Sequence, residues 1–127
     1  MRRDRRTYLW DVQEAGRSIE TFLQGKHLND YLQDEMLRSA VERKCEIIGE
    51  ALSQAIHYFP EVADSIVDAG QVIAFRNQLI HGYSTVDDQL VWSIVRVSLP
   101  KLLQQVDALR TLYASAEPND ADDNSNA

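Results

Sequence analysis

Cysteine is almost missing from this chain: Cys45 is the single one in 127 residues. One cysteine excludes an internal disulfide and any cysteine-pair zinc site, and it fits a reducing compartment. It falls on a half-apolar helical stretch, which reads as a small buried thiol in preference to a nucleophile. The five glycines are scattered, so there is neither a Walker A loop nor a dinucleotide fingerprint. G-x-S-x-G and H-E-x-x-H are missing too. Apolar runs are short: none approaches the ~20 residues of a membrane span, and the basic start is followed by no hydrophobic leader segment. The expectation is a cytoplasmic protein, off the membrane, with no metal and no cofactor.

Positive charge is also scarce. Thirteen Lys plus Arg face 20 Asp plus Glu, a net charge of −7 with a pI near 4.8, which argues against coating nucleic acid or anionic lipid by bulk charge. Any anion binding must be local. Four of the acids (Glu117, Asp120, Asp122, Asp123) lie in the last eleven residues, which hold no Lys or Arg. Arg2, Arg3, Arg5 and Arg6 crowd the other end around Asp4. They suit either an RNA-approach patch or an ion-pairing arm.

What is abundant is helical periodicity. Tyr8, Val12, Ala15, Ile19 and Phe22 recur at spacings of 4 and 3, one stripe of an amphipathic helix ended by Gly25. A loop is expected over Gly25 to Asp30. A longer stripe then runs through Leu37, Val41, Lys44, Ile48, Ala51, Ala55 and Phe59 to Pro60. Lys44 in that apolar row reads as an amine snorkelling past its own stem. Gly49, in mid-helix, costs about 1 kcal/mol relative to Ala, which suggests a close helix crossing or a nearby ligand. A short helix is expected over 61–69, then a further one through Val72, Phe75 and Leu79 to Ile80, broken at Gly82. Ser84, Thr85, Asp87 and Asp88 form the next N-terminal signal. The last stripe is Val91, Val95, Leu99, Leu102, Val106, Leu109 and Tyr113, with Pro100 as a kink. The sum is an all-α antiparallel bundle of four main helices plus a short extra one over 1–115, with a disordered acidic tail over 116–127.

Chemistry-bearing residues crowd one helix end: Arg76-Asn77-Gln78-Leu79-Ile80-His81-Gly82-Tyr83. Arg offers a donor fork for phosphate oxygens, and an unperturbed His titrates near ~6.5, so it gives or takes a proton around neutrality. These groups suit phosphodiester cleavage without a metal. On a continuous helix, however, Arg76 and His81 stand about 140° apart, whereas Asn77 and His81 share a face. Either the helix unwinds before His81 or a second subunit completes the site. The plainer reading is a structural ion pair at Arg76 and a helix-terminal His81.

The segment Arg76 to Tyr83 resembles the R-x4-H-x-Y signature of the HEPN superfamily, specifically HepT-like toxins of bacterial toxin–antitoxin pairs. The likeness extends through Cys45-Glu46-Ile47-Ile48-Gly49-Glu50-Ala51, the start at Arg5 to Leu9, and Leu99-Pro100, so it covers about residues 3 to 113. It implies a homodimeric HEPN-like bundle whose two motif segments meet in a cleft and act as a metal-independent endoribonuclease. By that likeness Arg76 binds the scissile phosphate, His81 is the acid–base group, Asn77 is the supporting polar residue, and the RNA 2′-hydroxyl attacks to leave a cyclic phosphate. It also implies a cognate MntA-like nucleotidyltransferase antitoxin that transfers AMP to Tyr83, setting a bulky anion beside Arg76.

The other candidates are plainer. His27 reads as a solvated loop residue and His57 as a helix-terminal one, neither at metal-ligand spacing. Glu46 and Glu50, four apart, either line the cleft or are ordinary exposed acids. The acidic balance favours a particular RNA target, such as tRNA or ribosome-bound mRNA, over RNA in general. Two further readings stand beside the toxin: a non-catalytic nucleotide-binding or partner subunit of a minimal nucleotidyltransferase, and an oligomerising helical scaffold.

Overall fold

The computed structural model describes residues 3–116, with Tyr83 given by its backbone alone. The expected acidic tail therefore lies outside the described residues except for Ala116, which is still helical. Within them the chain is all-α: α1 (Arg5–Leu23), α2 (Leu28–Gln33), α3 (Glu35–Tyr58), α4 (Val62–Ser65), α5 (Ala69–His81), α6 (Asp88–Ser93) and α7 (Leu99–Ala116). No strand occurs among the described residues.

Side-chain oxygens start the helices. Asp4 accepts from the Arg6 N–H (2.8 Å), Asp34 from Leu37 (3.0 Å), and Asp87 from Gln89 and Leu90 (3.0 and 3.2 Å), so each satisfies donors that a first turn leaves unpaired. Gly25, at φ +74°, follows the end of α1 in the left-handed region that favours glycine. Ser84 and Thr85 cap nothing: they belong to a 3-10 turn, Tyr83–Thr85, and Asp87 alone caps α6.

The long helix α3 is the centre of the bundle, with α1 and α5 packed on it and α7 packed on α1. The stripes read from the sequence carry much of the core, although Phe22, Leu37, Phe59, Val72 and Phe75 are only partly buried. Tyr8, Val12, Ala15 and Ile19 of α1 are buried, as are all seven positions from Val91 to Tyr113. Fully burying an aliphatic side chain of this kind contributes about 1.5–3 kcal/mol. Because α1 is covered on two sides it also buries Gln13, which donates to Asp107 (3.3 Å) and accepts from Arg110 of α7. Lys44 is half-buried.

Two expectations are corrected. The loop over Gly25 to Asp30 holds the start of α2, whose Tyr31 is fully buried against Trp92, with ring centroids 5.5 Å apart. The helix over 61–69 is a single turn, Val62–Ser65. Pro100 is the second residue of α7, directly behind a π turn over Ile94–Ser98 in which the Leu99 N–H reaches the Ile94 carbonyl, so the helical path departs from regular α geometry at the place where a kink is expected. A proline lacks the N–H for an i−4 bond and its ring crowds that carbonyl, and the wider turn accommodates both.

Candidate active site

Helix α5 carries Arg76, Asn77 and His81, and its seat on α3 decides where they point. Gly49 of α3 lies directly under Arg76: a Cβ built there would stand 2.2 Å from Arg76 Cβ and 2.6 Å from Cγ. The mid-helix glycine thus marks a close helix crossing, with the arginine stem laid across it.

The guanidinium is held from both sides. Nη2 is 2.8 Å from Glu50 Oε2, and Nη1 donates to Asn77 Oδ1 at 2.8 Å. Glu50 is itself anchored, because its Oε1 accepts from Gln54 Nε2 at 2.7 Å. Nε of Arg76 is buried with no acceptor, so Glu50 engages only one arm of the fork that a carboxylate can take bidentately. The ion pair weighed at Arg76 is present.

Arg76 and Ile80 form one wall of a groove of about 210 Å³ between α1, α3 and α5. Tyr8 and Asp11 of α1, and Arg43, Glu46 and Glu50 of α3, line the rest, with Arg3 at the N-terminal end. Glu46 and Glu50 therefore line this single-chain groove with Arg76, and His81 is not part of it. Each arginine of the groove meets a carboxylate: Arg3 is 2.8 Å from Asp11, and Arg43 is 3.6 Å from Glu46.

His81 lies elsewhere. The helix runs unbroken from Ala69 to His81 and is closed by the Gly82 N–H on the Gln78 carbonyl (2.8 Å). The five-residue offset keeps Arg76 and His81 about 140° apart, and His81 is exposed on the last turn, outside the groove. Unwinding before His81, one of the two routes considered from the sequence, does not occur. Asn77 is exposed as well. The backbone of Tyr83 begins the 3-10 turn two residues beyond His81, where Thr85 Oγ1 donates to the Gly82 carbonyl (2.9 Å).

The remaining candidates resolve simply. Cys45 is buried, and burial, reinforced by the nearby Glu42 and Glu46, pushes its thiol up to about 12, the behaviour of an inert core thiol. His27 is exposed and precedes α2, with its N–H on Asp30 (2.8 Å), and His57 is exposed with its ring edge against Tyr58. No group of His, Cys, Asp and Glu suited to a metal ion occurs among the described residues. No helix of the described residues is long and apolar enough to cross a membrane. Of the N-terminal arginines, Arg3 pairs with Asp11, Arg6 with Asp4 (2.8 Å) and Arg5 with Glu61 (3.0 Å). Arg5 is a structural clasp whose guanidinium sits 3.5 Å from the centre of the Tyr113 ring. Arg2 lies outside the described residues. The sequence reading missed Arg43 and Gln54. Their spacing of three and four from Glu46 and Glu50 on one helix was the available signal.

Comparison with known proteins places this chain in a family. The family profile Ribonuclease HepT-like matches residues 12–109. The chain is 33% identical over 106 residues to "Putative RNase MJ1380" of Methanocaldococcus jannaschii, covering 84% of this chain and 96% of that protein. It is 34% identical over 110 residues to "Probable ribonuclease HepT" of Thermococcus cleftensis, covering 87% and 99% respectively. No solved structure gives a match. The chain belongs to the HepT-like family of HEPN proteins.

Proposed function

Starting from that membership, we propose that the chain is a metal-independent endoribonuclease toxin, silenced by a cognate nucleotidyltransferase antitoxin that AMPylates Tyr83. The observation that carries the reading is the motif Arg76, His81, Tyr83, running from α5 into the 3-10 turn that follows it, in a chain matched to the family over residues 12–109. Arg76 would hold the scissile phosphate, with Asn77 steadying its Nη1 arm. The RNA 2′-hydroxyl attacks the adjacent phosphorus, the 5′-oxygen leaves, and a 2′,3′-cyclic phosphate remains. One imidazole takes the 2′-hydroxyl proton and another delivers a proton to the leaving oxygen. Two copies of the chain supply two histidines, and the reading requires a homodimer that sets His81 of one protomer towards Arg76 of its partner, since a single α5 keeps the two apart.

Purified parent protein, Arg76→Ala and His81→Ala are incubated with RNA in the presence of a chelator. The expected result is cleavage by the parent, leaving cyclic phosphate ends, and none by either variant. If His81→Ala cuts as well as the parent, the mechanism is wrong. Co-expression with a cognate nucleotidyltransferase is expected to add AMP-sized mass increments that vanish in Tyr83→Phe. A second reading, a non-catalytic partner subunit of that nucleotidyltransferase, is favoured by the ion-paired state of Arg76 and its separation from His81. It predicts modification of Tyr83 but no RNA cleavage by the isolated protein.

A further inference from the structure

A groove that recognises a nucleic-acid backbone ordinarily presents unbalanced positive charge. The groove around Arg76 does not. It holds Arg3, Arg43 and Arg76 together with Asp11, Glu46 and Glu50, so its formal charge cancels. Cancellation is pairwise, with N–O distances of 2.8 Å (Arg3–Asp11), 3.6 Å (Arg43–Glu46) and 2.8 Å (Arg76–Glu50).

All three pairs stand partly in water: side-chain exposure is 26% for Arg76 and 47% for Glu50, and the other two pairs are at least as open on the arginine side. Exposed pairs bind weakly. Glu50 holds Arg76 through Nη2 only, leaving Nε without an acceptor, and its other oxygen is kept by Gln54. A carboxylate released from Arg76 therefore retains a donor, while the Nη2 arm it leaves is freed for a phosphate oxygen.

We propose that Asp11, Glu46 and Glu50 are specificity-determining residues of this site. They are internal anions that occupy the three arginines and are displaced only by a phosphate run matching the spacing of the pairs, so the groove rejects polyanions in general. The inference rests on the ribonuclease reading, which makes phosphodiester the ligand. It predicts an unusual sign: neutralising a carboxylate beside the catalytic arginine tightens binding. Binding by exchange also releases fewer counterions than binding to bare arginines, so the parent's affinity depends shallowly on salt.

The full chain, Glu46→Gln, Glu50→Gln and the triple variant Asp11→Asn, Glu46→Gln, Glu50→Gln are titrated with a 2′-O-methyl RNA oligonucleotide, which this chemistry cannot cleave, and with heparin. Titrations are repeated over a range of salt concentrations, and thermal melts confirm folding. The expected result is tighter binding in the order triple, single, parent, with heparin gaining more than the RNA so that the preference for RNA narrows, and with the triple variant gaining roughly tenfold or more for heparin at low salt. The log–log salt slope should steepen by about 0.7 for each arginine set free. Unchanged or weaker binding with an unchanged slope overturns the proposal and leaves the carboxylates as holders of the arginines. Glu46→Gln, at the longest and most exposed pair, keeps the test decisive if the triple variant does not fold. Loss of the ribonuclease reading shows separately, as an absence of RNA cleavage by the parent.

Discussion

Replacing Gly49 with alanine sets two effects of opposite sign against each other. Alanine in the interior of a helix is favoured over glycine by about 1 kcal/mol, so by propensity alone the variant is more stable. Packing opposes it: the new methyl would lie 2.2 Å from Arg76 Cβ and 2.6 Å from Cγ, where carbon atoms prefer roughly 3.5–4.0 Å. The nearer atom is the root of the side chain, which no rotamer change removes, so α5 must back away from α3 by more than an ångström. Overpacking of this kind costs about 1–3 kcal/mol. The net expectation is a destabilisation of up to about 2 kcal/mol, read as a fall in Tm of several degrees for a domain of this size. RNA cleavage falls with it as Arg76 is displaced. Gly70→Ala is the control. It lies on α5 with nothing within 4 Å of an added Cβ, so it collects the propensity gain without the clash and should raise Tm. A Gly49→Ala protein that melts at or above the parent temperature and keeps its cleavage rate would refute the claim that the glycine exists to seat Arg76.

Arg5→Ala should lower stability by about 1–3 kcal/mol in a thermal or urea melt, since it loses both the Glu61 bond and the cover over Tyr113; Glu61, half open to water, rehydrates and limits the loss. Arg5→Lys should not restore the parent, because a compact ammonium cannot lie flat on the ring. Cys45, its thiol pushed up to about 12, should resist thiol reagents at neutral pH until denaturant is added, and rapid stoichiometric labelling of the folded protein contradicts its placement. Glu42→Gln should stabilise the protein at neutral pH. Burial, then Asp88 and Glu46, raise the Glu42 carboxyl against the pull of Arg38, so stability falls as pH rises from the ordinary carboxylate range through the raised value. The variant's advantage over the parent should vanish on acidification, and a pH-independent difference refutes the electrostatic cause.

What the sequence makes legible follows from which interactions are local. The stripe Val91 to Tyr113 is entirely buried, and its period was visible because one helix path repeats the same demand seven times. Gly49 was legible as an anomaly but not as the seat of Arg76, whose position is fixed by a contact across 27 residues. Helix α2 was illegible for a related reason: its one buried residue, Tyr31, is placed by Trp92 of α6, and six residues hold too few repeats to show a period. The two partners of Arg5, Glu61 and Tyr113, lie far along the chain. Nothing local distinguishes it from Arg3 and Arg6, yet it alone of the three is buried. The divergence of Arg76 and His81 was readable from 3.6 residues per turn, and the unbroken α5 preserves it.

That divergence bears on how an active site could be assembled. To bring His81 to the phosphate held by its own Arg76, α5 would have to lose its last turn. The Gly82 to Gln78 bond would open, and Leu79, 4% exposed, would be drawn from the core. The lost burial costs about 1.5–3 kcal/mol, and each unmade backbone bond about 1 kcal/mol more. A histidine supplied by a second copy requires none of this: α5 stays intact, Arg76 remains seated on Gly49, and His81 is already exposed at the end of the helix. In the proposed ribonuclease the composite site is therefore the less costly one, because it asks each chain for the conformation it already holds.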